Sequence, residues 1–113
     1  MAGPGRRGNL FDDATAPGGR ERFDELLARD GARVERIVST GQTTPPGEWF
    51  DQAGEEWVAL LTGRATLLFE GGERVELAAG DWVAIPARAR HRVEATSADP
   101  PCVWLAVHLP PSS

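Results

Sequence analysis

The stretch GGERVELAAGDWVAIPARARHRVEAT, residues 71–96, alternates between turn signals and short two-residue-period runs. Gly71-Gly72 is a hairpin signal, because glycine adopts the positive backbone angles that a two-residue turn needs. Val75 and Leu77 then face one way while Arg74 and Glu76 face the other, the alternation of a half-buried strand. Ala79-Gly80-Asp81 turns the chain into a short apolar run, Trp82 to Ile85, and Pro86 to Ala89 reads as a loop. Beyond it His91, Val93 and Ala95 share one face, with Arg90, Arg92 and Glu94 on the opposite one. Three short runs of this kind predict antiparallel β-structure.

Working outward, the same grammar continues. Asp99-Pro100-Pro101 breaks the chain before a last strand, Cys102 to Leu109, and Pro110 to Ser113 forms a tail. Upstream, Arg64 to Glu70 is a strand that follows Gly63. Glu56 to Leu61 is apolar on both faces, as a buried strand is. Thr40 to Gly47 is a turn region with Pro45 and Pro46, and Ala32 to Ser39 is the first strand. In Arg20 to Asp30, RERFDELLARD, Phe23, Leu26 and Leu27 fall at helical spacing and Gly31 follows as a stop, which predicts one short helix. Residues 1–19 are rich in Gly, Ala and Pro and read as a flexible arm, with Leu10 and Phe11 able to dock. The expectation is an all-β sandwich or barrel with one short N-terminal helix, in a single domain over residues 20–109.

Composition narrows the function. A chain of 113 residues can bury a core without staples. One cysteine, Cys102, excludes an internal disulfide and suits a reducing cytoplasm. No apolar run approaches the roughly 20 residues that span a bilayer, and the arginines near the N-terminus have no apolar stretch behind them, so neither membrane nor signal peptide is expected. The net charge of −5 argues against nucleic acid, which needs a basic face. Strand Ala32–Ser39 carries Arg33, Glu35 and Arg36 and would be an edge unless paired, which points to a homodimer.

Two segments resemble the paired motifs of the cupin superfamily. Gly80-Asp81-Trp82-Val83-Ala84-Ile85-Pro86 matches its glycine, five residues, proline, and His91 stands at its second-motif histidine. Arg88 replaces the glycine expected two residues after the proline, and Ala95 the closing asparagine. Glu56 and Gly63, with six residues between them, match the end of the first motif; its histidine pair falls on Phe50 and Gln52. The likeness covers about Arg33 to His108 and is nearest to short bacterial cupins carrying Glu56-Trp57-Val58, Gly80-Asp81, Ile85-Pro86-Ala87 and Arg90-His91-Arg92-Val93. It implies a double-stranded β-helix, the jelly-roll barrel.

The resemblance also implies a site. Cupins hold a divalent transition metal (Zn, Fe, Mn or Ni) on inward histidines and a glutamate. Imidazole and carboxylate suit such ions and leave positions open for substrate. Carried over, the metal set is Gln52, Glu56 and His91, with Glu56 and His91 as the catalytic pair. Phe50, Gln52 and His108 are the ligand-binding candidates, and Asp51, Glu55 or His108 could join the set. His108 is in step with Cys102, Trp104 and Ala106, so it either reaches the site or ends on the surface. Glu56, a carboxylate in an apolar strand, needs a compensating partner, which His91 or a metal would supply. Three readings follow: a metal-dependent enzyme of isomerase, lyase or dioxygenase type, a metal-free binder of a small polar molecule with Glu56 and His91 as anchors, and a structural dimer with a vestigial site.

Overall fold

The computed structural model describes residues 5–112; Met1 to Pro4 of the expected arm and Ser113 of the tail lie outside them. Among the described residues, eight strands form two sheets. They are β1 (Arg22–Arg29), β2 (Ala32–Ser39), β3 (Glu56–Thr62), β4 (Arg64–Phe69), β5 (Arg74–Ala78), β6 (Trp82–Ile85), β7 (His91–Thr96) and β8 (Cys102–His108). The five-stranded sheet runs β1-β2-β8-β3-β6 and the three-stranded one β5-β4-β7. All pairings are antiparallel. This is the jelly-roll barrel, and every strand expected from Ala32 onward is present.

The expected helix is not. Arg22–Arg29 is strand β1, and the helical structure among the described residues is one 3₁₀ turn, Pro17–Gly19. Asp30-Gly31 explains the difference: both residues take positive φ, 52° and 82°, and join β1 to β2 as a tight hairpin. Asp-Gly is a strong hairpin signal, and here it acts as a turn rather than a helix stop. The helical spacing of Phe23, Leu26 and Leu27 comes from a bulge, where the register shifts between Glu25 and Leu27. Strand β2 is therefore no edge, because β1 and β8 flank it.

The inward faces of the two sheets meet in a core of Val58, Leu60, Ala65, Leu67, Leu77, Ile85, Cys102, Trp104 and Ala106. Trp104 donates its indole N–H to Ser39 Oγ, which donates to Glu21 Oε2, so the polar atoms inside this wall are satisfied. One end of the barrel is different. Strands β3 and β7 begin there with Glu56 and His91, β8 ends there with His108, and β2 enters it with Arg33 and Glu35. Antiparallel pairing places Arg33 opposite His108 and His108 opposite Glu56.

Candidate functional site

At that end a cavity of about 250 Å³ opens. Ile37, Val58, Leu67, Ile85, Val93 and Trp104 form its walls, and Glu35, Glu56, His91 and His108 gather its polar groups. Glu56 and His91 are 8% and 5% exposed. Few carboxylates sit this deep without a compensating partner.

Two imidazoles meet around Glu56. His91 donates Nδ1–H to the Ala89 carbonyl at 2.9 Å, so its neutral ring presents a bare Nε2. That nitrogen lies 3.6 Å from Glu56 Oε1, beyond hydrogen-bond reach, and Oε1 is a buried oxygen with no hydrogen-bond partner. His108 donates Nε2–H to Glu35 Oε1 at 2.8 Å, and in its neutral form this leaves Nδ1 as an acceptor, 3.9 Å from Glu56 Oε2. Two imidazole lone pairs thus face the two oxygens of one carboxylate with no donor between them. Such a group is incomplete without a cation, a proton or a ligand rich in donors.

The proton is one remedy. Burial draws the His91 pKa down, but the Glu56 carboxylate and the Ala89 carbonyl outweigh it and leave the value raised. A protonated His91 forms an ion pair with Glu56.

A metal is the other, and the donor chemistry suits one: two imidazoles and a carboxylate, each imidazole oriented through its second nitrogen by a carbonyl or carboxylate acceptor. The spacing is open. Among the described residues no three His, Cys, Asp or Glu side chains stand in the arrangement of a formed metal site. A metal would have to draw Glu56, His91 and His108 a little closer.

The remaining candidates divide. Phe50 lines the cavity at 42% exposure, its ring 5.5 Å from that of His91, and its backbone exchanges two hydrogen bonds with His91. Gln52 lines the cavity half-buried, and its carbonyl accepts from the Arg88 N–H. Asp51 turns outward to Arg88, 3.4 Å away, and Glu55 is exposed, so neither belongs to the polar group. The loop before β3 is fixed by Gly54, where an added Cβ would lie 2.0 Å from the Leu109 carbonyl oxygen. Glu35 and Arg33 went unrecognised from sequence. The available signal was alternation, since Arg33, Glu35 and Ile37 share the face of β2 that lines the cavity.

The arginines around His91 are each engaged: Arg88 with Asp51, Arg90 with Glu70, and Arg92 with the Thr44 carbonyl. Among the described residues no helix is long and apolar enough to cross a membrane.

Comparison with known proteins agrees with this fold. The family model for the cupin domain matches residues 36–108. Among solved structures, a Ralstonia eutropha JMP134 protein provisionally named a mannose-6-phosphate isomerase is 43% identical, with 94% of this chain and 99% of that one covered and a TM-score of 0.89. A cupin superfamily protein from Desulfitobacterium hafniense DCB-2 is 18% identical over 95% and 94% of the two chains, with a TM-score of 0.76. The iron(II) form of HppE is 13% identical over 79% of this chain and 50% of that one, with a TM-score of 0.67. No curated protein matches.

Proposed function

This chain belongs to the cupin domain family, and from that premise we propose that it binds a small polar molecule in the barrel mouth, beside a divalent transition metal held by Glu56 and His91. The observation that carries the reading is the buried, unpartnered Oε1 of Glu56 facing the bare Nε2 of His91 across 3.6 Å. Zn, Fe, Mn and Ni all accept this donor pair. Bound there, such an ion supplies Lewis acidity toward an oxygen of the ligand. The Ala89 carbonyl keeps the proton on Nδ1 of His91, and so keeps Nε2 free. The walls exclude water from the apolar part of the ligand, and Phe50 covers the rim. The name of the Ralstonia protein makes a phosphorylated sugar the first ligand to try, and isomerase, lyase or dioxygenase chemistry is the range to assay.

Elemental analysis of protein purified without tag or chelator tests this. Near one equivalent of metal in the wild type and under about a tenth in Glu56→Gln supports the reading. Absence of metal from both, even after metal is added back, overturns it. In that event the metal-free reading takes over, favoured by the raised His91 pKa: His91 donates through Nε2 and Glu56 accepts, anchoring the ligand directly. A thermal shift with mannose 6-phosphate or small acids, abolished in His91→Ala, would mark that case. The single buried cysteine fits a reducing cytoplasm, where we place the protein. We also assign it a homodimer, formed through Trp82 and Trp57 on the outer face of the five-stranded sheet.

A further inference from the structure

The residues that take the place of the first-motif histidines cannot do a histidine's work. Phe50 offers no donor atom, and Gln52 offers an amide oxygen, a weak ligand for a transition metal. A second imidazole nevertheless reaches the site from elsewhere in the barrel. His108 ends β8, directly opposite Glu56 on β3, and directly opposed residues of antiparallel strands bring their side chains into contact range. Its side chain is 14% exposed.

What aims His108 is a second buried carboxylate. Glu35, 9% exposed, accepts the His108 Nε2–H at 2.8 Å. Its other oxygen, Oε2, lies 3.7 Å from Arg33 Nε. Glu35 is two residues from Arg33 on the cavity face of β2, and Arg33 is in turn opposite His108. Arg33, His108 and Glu56 therefore form one row across three neighbouring strands, with Glu35 diagonal to His108 on the same face. A burial cost for Glu35 is tolerated here because both of its oxygens face partners. The effect of the Glu35 contact is to fix the ring with Nδ1 bare and directed at Glu56, the way outer carboxylates orient metal-binding histidines.

We propose that His108 is the third donor of this site, in place of the histidines replaced by Phe50 and Gln52, and that Glu35 is its positioning residue. The proposal rests on the metal reading above. It differs from the carried-over set in assigning the third position to the last strand rather than to the loop before β3.

The test is zinc affinity by chelator competition on the full chain, for wild type, His108→Gln, Glu35→Ala, Glu35→Gln and Gln52→Ala. It is combined with nitrogen NMR of the His108 ring in the metal-free protein. His108→Gln and Glu35→Ala should each weaken zinc about ten- to a hundredfold. Glu35→Gln should recover most of the loss, because its amide oxygen still accepts Nε2–H. Gln52→Ala should stay within about twofold of wild type, on the weakness of an amide ligand. In the spectra, the wild-type ring proton sits on Nε2, and Glu35→Ala spreads it over both nitrogens, a change that a merely structural role for Glu35 would not produce. His108→Gln, close to the native shape, carries the test if Glu35→Ala does not fold. Wild-type zinc binding with His108→Gln unaffected, or with Gln52→Ala as damaging as His108→Gln, overturns this proposal alone. No zinc binding in the wild type overturns it together with the metal reading.

Discussion

Arg88 holds φ at +64°, in the left-handed region that side chains with a Cβ enter at a cost of about 1–2 kcal/mol. It stands where the cupin motif has glycine, so the motif's demand on the backbone persists here although the residue has changed. Its exposed ion pair with Asp51 returns little. Arg88→Gly should therefore raise stability by about 0.5 kcal/mol after the entropy of the freer unfolded chain is set against the relieved strain. Arg88→Val should lower it, since a β-branched residue fits that region worst. Urea midpoints of the two variants check both signs. At the same scale, Glu56 and His91 were legible in the sequence because motif spacing marks them. His108 was legible only as a choice between inside and outside. Glu35 and Arg33 were not legible, because a strand's alternation says which residues share a face and not which face is the inner one.

Strand β1 shows how an element can be misread. Two apolar neighbours at a bulge imitate helical spacing, and the decision lay in the Asp-Gly turn after it. The strands from β2 to β8 were readable because glycines and prolines bound them and their alternation is regular. The outer side of the β1–β2 hairpin carries a further feature. Arg36, 6% exposed, binds Asp24 at 2.8 Å and donates to the carbonyls of Leu10, Asp12 and Asp13, fastening the segment before β1. Arg36→Met should cost about 1–2 kcal/mol, because it removes the buried guanidinium that bridges Asp24 to the carbonyls of Leu10, Asp12 and Asp13. Asp24 gives the pH signature. Burial pushes its pKa up, but hydrogen bonds from Arg36 and Arg22 prevail and hold it below the usual value. A carboxylate with a depressed folded pKa stabilises above its unfolded pKa, near 3.9, and loses that contribution as pH falls through the lower folded value. Urea titrations from pH 6 down to pH 3 should show a loss that Asp24→Asn flattens.

The barrel gathers the ionisable residues Glu35, Glu56, His91 and His108 of its cavity at one mouth. The same strand directions that close the two sheets bring the start of β3, the start of β7 and the end of β8 to one mouth. The proposed homodimer would form on the outside of the barrel. With β2 paired on both sides, the argument from its edge falls away, and the outer face of the five-stranded sheet takes its place. There Trp82, 61% exposed on the edge strand β6, stacks on Trp57 of β3 with ring centroids 6.0 Å apart. An exposed indole stacked on a half-buried one on a sheet face is an apolar patch of the kind that association covers. Light scattering at micromolar concentration should give twice the chain mass, and Trp82→Glu should give the single chain. A monomer in the wild type would refute the assignment.

The central claim is that Glu56, His91 and His108 converge as acceptors awaiting a cation, and anomalous diffraction tests it most directly. Crystals equilibrated with zinc and measured at the zinc edge should show one strong peak between Glu56 Oε1 and His91 Nε2, within reach of His108 Nδ1. An empty gap under excess zinc, with His91 and Glu56 unmoved, would contradict it.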